Sequence, residues 1–367
     1  MKSKTIGFIG LGLIGGSIAK AILKIYPTTR IIANASREST LQQAFDEHLI
    51  NNNGFLNISA FAQCDIIFLC SPVKVNCDYL RQLKDVVRPD CIITDVGSVK
   101  GDITAVAREI GITNQFIGGH PMTGSEFTGL EHSSASILEN AYYILTADEQ
   151  MDKTTLQEFS DYITSLGAIP IILSPEDHDM ATAAISHVPH VVAASLVNMV
   201  KNTEDDRAIC KTIAAGGFKD ITRVASSSPV MWQHIFMSNK DAILSLLDKY
   251  LCEITKFKEA IEKDDAEEIF NLWTNAKDYR DSISIPEGNR YSNFFELYCD
   301  IDDKPGTLVG VLNLLATAGI SIKNIDIIHN REFEPGVLRI EFYNMNDIQK
   351  AQTILTHNNY YVRQRTR

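Results

Sequence analysis

Short apolar segments alternate with helical patterns along residues 1–173 of the chain. Several are continuous runs of β-branched and aromatic residues, which is typical of strands buried on both faces of a parallel sheet. Regular strand–helix alternation indicates the α/β class, so residues 1–173 are predicted to form a Rossmann-type doubly wound sheet. The predicted strands are Thr5–Ile9, Arg30–Ala33, Ile66–Cys70, Cys91–Asp95, Phe116–Gly118, Tyr142–Thr146 and Ile169–Leu173.

The pattern changes after this region. Pro175 is followed by two acidic residues, which is typical of the first turn of a helix. Long helical patterns follow, among them Ile185–Val200 and Asp241–Glu262, without a convincing strand. Residues 174–285 are therefore predicted to form an all-helical domain, and apolar helices of this length favour a role in dimerisation.

The end of the chain returns to mixed structure. Ser282–Tyr291, which contains proline, glycine and asparagine, is predicted to be a linker. Residues 293–367 follow the order β-α-β-β-α-β, which predicts a small ferredoxin-like domain. Its predicted elements are strands Phe294–Asp300, Ser321–His329 and Val337–Tyr343, helices Thr307–Ala318 and Asn346–Thr356, and a final strand.

Composition narrows the class of protein. The chain has 34 basic and 46 acidic residues, a net charge of −12, which disfavours binding to nucleic acid or an anionic membrane. The seven cysteines form no Cys-x-x-Cys pair and no metal-like cluster, so we expect no disulfide and no metal site. The N-terminus, broken by glycines, is unlike a signal peptide. No apolar stretch reaches the roughly 20 residues of a membrane-spanning helix, so we expect a soluble, cytoplasmic protein.

A glycine-rich turn, Gly10-Leu11-Gly12-Leu13-Ile14-Gly15, directly follows the first predicted strand and precedes a helix. In such a turn the first glycine permits the tight bend, the second lets the backbone approach a pyrophosphate, and the third allows close helix–strand packing. Phosphates then lie at a helix N-terminus, where free N–H groups favour anions. The turn predicts a dinucleotide-binding dehydrogenase, with Ser71 and Pro72, after the third strand, as further cofactor contacts.

The second predicted strand bears on the choice of cofactor. An NAD site usually has an acid about 20 residues beyond the glycines, bonded to the ribose 2′-hydroxyl. Here Ala35 or a neighbour occupies that position, and the first acid is Glu38. Ser36 and Arg37 are suited to a 2′-phosphate instead. NADP is therefore the favoured cofactor; the alternatives are NAD and a solvated loop position for Arg37.

Three further segments carry candidate chemistry. Asp95–Lys100 and Gly118–Glu126 each follow or end a predicted strand, at the sheet edge where ligands bind in such folds. Within the second, His120 lies among glycines that bring the backbone close, and a histidine exchanges a proton near neutral pH. Ser186–His190 lies in a helical pattern that places its first and last residues on one face, although Pro189 should kink or break the helix.

Other polar residues carry weaker signals. Arg223, at the end of the glycine-rich segment Gly216–Arg223, is a candidate anion clamp, with a surface helix charge as the alternative. Most remaining histidines are interpreted as ordinary polar residues outside the chemistry, namely His132, His178, His234, His329 and His357.

Together these segments resemble the prephenate dehydrogenase family, which includes arogenate dehydrogenases. The resemblance covers essentially the whole chain, and the glycine turn is its least specific part because many dehydrogenases share it. The tail resembles an ACT domain, a regulatory module that binds amino acids, through Asp303–Gly306 and Gly319–Ile325. The segments that stand in the family's order and spacing are Gly10–Gly15, Asp95–Lys100, Gly118–Gly129, Ser186–His190 and Gly216–Ala225.

The resemblance implies oxidative decarboxylation of prephenate to 4-hydroxyphenylpyruvate and carbon dioxide, in a homodimer regulated by an aromatic amino acid such as tyrosine. His120 matches the family's catalytic histidine, and Ser98 matches the serine that orients it. Arg223 matches the arginine that binds a substrate carboxylate. The other implied substrate contacts are Ser186, His187, His190 and Glu126, and the implied effector contacts are Asp303, Pro305, Gly306 and Asn324.

Three alternatives stay open. The run Ser36–Thr40 also resembles NADP-using arogenate dehydrogenases, so arogenate is an alternative substrate. A β-hydroxyacid dehydrogenase shares the opening Gly-Phe-Ile-Gly-Leu-Gly, but its helix-borne catalytic lysine motif is not found here. A cofactor-binding sensor without catalysis is disfavoured by the presence of Ser98, His120 and Arg223 together.

Overall fold

The computed structural model describes residues 4–124, 127–205, 207–283, 296–302, 304–328 and 336–364. The chain forms two compact units, Met1–Thr255 and Lys256–Arg367. Glu126, Asp303 and most of the predicted linker lie outside the described residues.

A seven-stranded sheet forms the centre of the first unit, in the order β2-β1-β3-β4-β5-β6-β7. The first five strands are parallel, whereas β6 pairs antiparallel with β5 and parallel with β7. All seven predicted strands are therefore confirmed, as is the doubly wound α/β class. The strands are β1 (Thr5–Ile9), β2 (Arg30–Asn34), β3 (Ile66–Leu69), β4 (Ile92–Asp95), β5 (Phe116–Pro121), β6 (Tyr142–Ala147) and β7 (Ile169–Leu173).

Helices cover both faces of this sheet because its strands are apolar at successive positions. In β3, Ile66 and Phe68 belong to the core on one face, and Ile67 and Leu69 belong to the core on the other. The helices of the first unit are α1 (Leu13–Ile25), α2 (Glu38–Asp46), α3 (Val73–Leu83), α4 (Gly101–Ile110), α5 (Lys153–Ser165), α6 (Pro175–Thr182), α7 (Val188–Thr203), α8 (Ile209–Ile213), α9 (Gly216–Thr222), α10 (Pro229–Ser238) and α11 (Lys240–Glu262), which continues to the second unit.

Residues 174–205 and 207–255 of the first unit are helical or irregular and contain no strand, as predicted for this region. α6 and α7 are continuous through a π-helical turn, Ala183–His187. Of the two outcomes expected at Pro189, a kink or a break, the break is therefore wrong, and the helix is distorted locally instead. A proline lacks the N–H for an ordinary helical hydrogen bond and clashes with the carbonyl four residues earlier, and the wider π-turn immediately before Pro189 relieves both constraints.

The segment Pro175–Thr203 is also long and apolar enough, by length and composition, to cross a membrane, so the expectation that no stretch reaches that length is wrong. A core helix of a globular domain meets the same criterion. Three polar side chains of this segment, His178, Asp179 and His187, form hydrogen bonds within the first unit. Such buried polar contacts are typical of a helix packed in a folded domain.

In the second unit, a four-stranded antiparallel sheet has the order β11-β8-β10-β9. One face packs on two helices through apolar residues such as Leu338, Ile340, Leu315 and Leu355. The predicted ferredoxin-like order is confirmed. The elements are α12 (Ala266–Ile283), β8 (Glu296–Ile301), α13 (Thr307–Thr317), β9 (Ile322–Ile328), β10 (Gly336–Phe342), α14 (Met345–His357) and β11 (Val362–Gln364).

Candidate active site

The glycine-rich turn has the geometry that a pyrophosphate requires. Gly10 has φ +101°, and a Cβ atom there would meet the carbonyl of Cys70. A Cβ atom on Gly15 would meet the carbonyl of Gly10, whereas one on Gly12 would meet nothing within 4 Å. α1 begins without a side-chain cap, so its first N–H groups are available to an anion. These residues fit a bound dinucleotide.

The end of β2 separates buried from exposed side chains. Asn34 is buried, and its amide exchanges two hydrogen bonds of 2.9 Å with the backbone of Leu56. Ser36 and Arg37 follow at the surface, where Arg37 precedes α2 without a side-chain cap hydrogen bond. The structure therefore leaves these two polar side chains at the position where a dinucleotide's ribose is bound in such folds.

A cavity of about 340 Å³ lies at the carboxyl ends of β3 and β4. Ser71 and Pro72 line one part of it, and Ser98 lines another. α10 contributes Met231 and His234 from the helical region. The cavity therefore brings Ser98, a candidate catalytic residue, together with the two candidate cofactor contacts.

A buried ion pair supports the loop that carries Ser98 and the end of β5 that carries His120. Lys100 and Asp95 are fully buried, and their Nζ and Oδ2 atoms are 2.5 Å apart. Lys100 Nζ also donates to the Gly119 carbonyl at 2.6 Å. Asp95 accepts hydrogen bonds from the backbone N–H groups of Gly97 at 2.8 Å and Gly119 at 3.1 Å. One carboxylate thus fixes both segments, next to each candidate residue.

His120 is joined to a second histidine and an aspartate. His120 Nδ1 is 2.8 Å from His178 Nε2, and His178 Nδ1 is 2.8 Å from Asp179 Oδ1. Asp179 also accepts hydrogen bonds of 2.8 Å from the backbone N–H groups of Lys100 and Gly101, at the start of α4. α6 is thereby held against the carboxyl end of β5, where His120 lies.

The surroundings of His120 favour its neutral form. Burial lowers the pKa of His120 well below 6.5, and the charge of Lys100 lowers it further. His178 and His187 act in the same direction. At neutral pH His120 is therefore an uncharged imidazole that is able to accept a proton.

A second cluster surrounds Trp232. The ring of His190 stacks on this indole with a centroid distance of 3.6 Å, and His187 meets its edge at 5.9 Å. His190 Nδ1 donates to the Ser186 carbonyl at 2.7 Å. Burial lowers the pKa of His190; the Ser186 hydrogen bond opposes this shift, and the nearby charge of Arg223 adds to it. Ser186 and His190 are therefore hydrogen-bonded to each other, and the charge of Arg223 acts on the same imidazole.

Sequence reasoning missed four residues of this region: Lys100 as a buried charge, His178, Asp179 and Trp232. His178 was interpreted as a polar residue outside the chemistry, whereas it contacts His120 directly. Asp179 lies shortly after the first turn of α6, where acidic residues are common. Its sequence position therefore did not indicate a role in the site.

Comparison with known proteins identifies the family. A family model described as "Prephenate dehydrogenase, nucleotide-binding domain" matches residues 18–172, and one described as "Prephenate dehydrogenase, dimerization domain" matches residues 174–275. The prephenate dehydrogenase of Bacillus subtilis (strain 168) is 39% identical over 350 residues, 95% of this chain and 94% of that protein. The chain belongs to the prephenate dehydrogenase family.

Solved structures agree with this membership. The prephenate dehydrogenase of A. aeolicus, crystallised with hydroxyphenyl propionate and NAD+, is 29% identical and has a TM-score of 0.72, covering 77% of this chain and 99% of that chain. Synechocystis arogenate dehydrogenase is 30% identical with a TM-score of 0.69, covering 76% and 99%. The predicted family is confirmed, in preference to the alternative of a β-hydroxyacid dehydrogenase.

Proposed function

We propose that this protein is a prephenate dehydrogenase that oxidises and decarboxylates prephenate to 4-hydroxyphenylpyruvate. The observation that carries the proposal is His120, a neutral imidazole at the carboxyl end of β5 with one ring nitrogen bonded to His178. Family membership supplies the reaction that such a base would serve. The role of each site residue is part of the proposal.

The residues account for the steps as follows. The substrate's ring hydroxyl gives its proton to His120, while the carbon that bears this hydroxyl loses a hydride. When bound, the oxidised nicotinamide supplies the acceptor for that hydride. The C–C bond to the ring carboxylate then breaks, carbon dioxide leaves, and its bonding electrons complete the aromatic ring with a phenolate oxygen. That oxygen takes the proton back from His120, which gives the hydroxyl of the product and restores the neutral base. Ser98, on the loop held by Asp95, orients the hydroxyl and His120.

The negative charge of the substrate suggests a role for the second cluster, the one around Trp232. Prephenate carries two carboxylates, and an acidic protein of net charge −12 needs cations placed locally to bind them. Arg223 is proposed to hold one carboxylate, with His190 and Ser186 as neighbouring contacts. His187 is 1% exposed and accepts a hydrogen bond from Asn239 Nδ2, so we assign it to support of this cluster.

NADP is the proposed cofactor. Ser36 and Arg37 are exposed beyond β2, and the amide of Asn34 is already bonded to Leu56. A guanidinium and a hydroxyl suit a 2′-phosphate, whereas an acid would suit the 2′-hydroxyl of NAD. Arogenate is the second candidate substrate, favoured by the similarity to the Synechocystis enzyme, which is named an arogenate dehydrogenase.

We further propose a soluble cytoplasmic homodimer whose tail binds an aromatic amino acid. The match to a dimerization domain at residues 174–275 supports the dimer. In the second unit, a cavity of about 120 Å³ lies beside the turn before α13 and is lined by Asp302, Lys304 and Thr307. Pro305 and Gly306 belong to the same turn, and we propose that Asn324 contacts the effector from a paired ACT domain.

The test is a set of four rate measurements that combine prephenate or arogenate with NAD or NADP and follow the reduced nicotinamide. We expect the highest kcat/KM with prephenate and NADP. Absence of turnover in all four combinations would refute the enzymatic function and favour a cofactor-binding sensor. Turnover confined to arogenate would move the substrate assignment while keeping the reaction class.

A further inference from the structure

His120, His178 and Asp179 form a chain of two short hydrogen bonds whose direction is fixed at one end. Asp179 accepts backbone N–H bonds from Lys100 and Gly101, one on each carboxylate oxygen. An ionised carboxylate offers lone pairs only, so the group that faces its Oδ1 atom from His178 must be a donor. The donor is therefore Nδ1–H of His178.

The remaining protons follow from this first assignment. A neutral imidazole has one N–H donor and one acceptor nitrogen. With its only proton on Nδ1, a neutral His178 presents Nε2 as an acceptor. His120 Nδ1, which lies 2.8 Å away, must then carry the proton that this bond needs. Nε2 of His120 is consequently left without a proton.

We propose that His178 and Asp179 are positioning residues that hold His120 in the tautomer with a proton on Nδ1, so that Nε2 accepts the proton of the substrate hydroxyl. The identity of that hydroxyl rests on the function proposed above, whereas the tautomer does not. A comparable one-step arrangement, in which an aspartate fixes the tautomer of a catalytic histidine, operates in serine proteases. Here one additional imidazole lies between the acid and the base.

Hydrogen bonds from neighbouring residues hold the backbone on both sides of the His120 and His178 rings. The His178 carbonyl accepts a hydrogen bond from Thr182 Oγ1 at 2.9 Å, and the Asp179 carbonyl accepts one from Asn239 Nδ2 at 2.8 Å. On the other side, the Gly119 carbonyl is held by Lys100. Both ends of the chain are thus fixed by groups outside it, which keeps the two rings within hydrogen-bond distance.

The same pair of hydrogen bonds also stabilises the His120 imidazolium that the proton transfer forms. Once Nε2 of His120 has accepted the substrate proton, the ring carries two protons and a positive charge. Its Nδ1–H bond to His178 then becomes charge-assisted, and such bonds are about twice as strong as neutral ones. The carboxylate of Asp179 lies at the other end of these two hydrogen bonds. Its negative charge therefore stabilises the positive charge that forms on His120.

The first test observes the tautomer directly. The full-length protein is labelled with ¹⁵N-histidine, and the His120 signals are assigned by their absence from the spectrum of the His120→Asn variant. We expect a protonated, pyrrole-type Nδ1 and an unprotonated, pyridine-type Nε2 at neutral pH. A protonated Nε2 in the unliganded protein would overturn the proposal, whatever the substrate is.

The second test uses a matched pair of variants at the fully buried position 178. His178→Gln retains a carbonyl oxygen that accepts the His120 Nδ1–H bond, and His178→Leu fills the space without an acceptor. We expect the Gln variant to keep kcat within about threefold and the Leu variant to lose about 10- to 100-fold, part of the contribution of a general base. KM and cofactor affinity should remain at wild-type values in both.

The two variants distinguish positioning from packing. Equal losses in the Gln and Leu variants, a full rate in the Leu variant, or a change confined to KM would each overturn the proposal. Kinetics are measured with whichever substrate the wild-type protein turns over. If the wild-type protein turns over none, the proposed function fails, and the ¹⁵N measurement alone decides the tautomer.

Discussion

At the scale of single residues, burial and a buried cation together keep the base of the site neutral. Lys100 lies fully buried beside Asp95 and donates to the Gly119 carbonyl, one residue before His120. Burial lowers the pKa of Lys100, and the charge of Asp95 opposes that shift. The ammonium in turn lowers the pKa of His120, which burial has already reduced. A base that is neutral near pH 7 results.

Replacing His120 by Asn should lower kcat by about 10²- to 10⁴-fold, the usual contribution of a general base. Cofactor affinity should be nearly unchanged, because β3 and β4 separate β5, which carries His120, from β1, which leads into the glycine turn. In the wild-type protein, activity needs the unprotonated ring, and its pKa lies below 6.5. Thus kcat/KM should stay constant as pH falls from 7 to 6.5 and decline only below that. Initial rates across this range test both points; a decline that begins above pH 6.5 would contradict the neutral base.

Replacing Arg37 by Ala should raise KM for NADP about 10- to 100-fold, because it removes a charge-assisted hydrogen bond to the 2′-phosphate. KM for NAD should not change. The matched control is Lys84→Ala, which removes another exposed cation at the end of α3 and should affect neither cofactor. Steady-state titrations with both cofactors measure the ratio, and an equal change for NAD and NADP would argue against a 2′-phosphate contact.

Site residues differ in whether the sequence alone could predict their role. His120 was recognisable because glycines surround it at the end of a predicted strand. His178 was not, because its partner lies 58 residues away in the chain and is brought near only by the packing of α6 on the sheet. The burial of Lys100 was also not predictable, because lysine is almost never fully buried unless it is paired. Its pairing with Asp95 becomes evident only in the folded structure.

At the scale of elements, the π-turn Ala183–His187 carries a buried titratable group. Burial lowers the pKa of His187 to about 4. His187 Nδ1 accepts a hydrogen bond from Asn239 Nδ2 at 3.1 Å, and the same amide nitrogen donates to the Asp179 carbonyl. The turn is therefore connected to α6 and to the residue preceding α11 through groups that require a neutral ring.

This connection predicts a pH-dependent stability. The pKa of His187 is about 4 in the folded protein and near 6.5 when unfolded, so the unfolded chain binds more protons as the pH falls below 6.5. Between pH 7 and pH 5 this one group should lower the free energy of unfolding by about 2 kcal/mol. His187→Gln should show a smaller loss over that interval than the wild-type protein. Denaturant unfolding followed by tryptophan fluorescence measures the difference.

The control for this prediction is His48→Asn, which removes an exposed histidine whose φ of +58° asparagine tolerates. Its loss of stability between pH 7 and pH 5 should equal that of the wild-type protein. An identical loss in the His187→Gln variant would show that the ring is not held neutral by the fold.

Element positions were predictable where the apolar pattern is continuous, and less so at strand ends. β5 runs to Pro121, three residues beyond its predicted end at Gly118. Gly118 and Gly119 have the composition of a turn, yet a Cβ atom on Gly119 would meet the backbone carbonyl of Asp95, and one on Gly118 would meet the side chain of Thr146. These glycines permit close approach between strands, a requirement that appears only when the neighbouring strands are in place.

At the scale of the whole molecule, the effector site proposed for the tail predicts that an amino acid controls the enzyme. Saturating tyrosine should lower turnover and stabilise the protein, by about 2.7 kcal/mol when its concentration is 100 times the Kd. Thr307→Gln, which fills the cavity beside the turn before α13, should abolish both effects. Val309→Gln alters an exposed residue of the same helix that does not line the cavity and should preserve them.

Calorimetry and steady-state rates measure the binding and the inhibition. No binding heat and undiminished activity with tyrosine, phenylalanine and tryptophan would exclude an aromatic effector.

The order of domains along the chain was predictable because each domain has its own hydrophobic periodicity. The limits 1–173, 174–285 and 293–367 stay predictions, since the compact units divide the chain at Thr255, within a helix that no local pattern interrupts.

The π-turn has a consequence for how this site can vary. A helix advances by about 100° per residue, so the number of residues between α6 and α7 sets the direction in which every later side chain points. His178 and His190 lie on opposite sides of the turn, and each belongs to a different cluster of the site. Loss of one residue from the turn would rotate His190 away from Trp232 while leaving the composition almost unaltered. The length of this segment is therefore as much a requirement of the site as the identity of its residues.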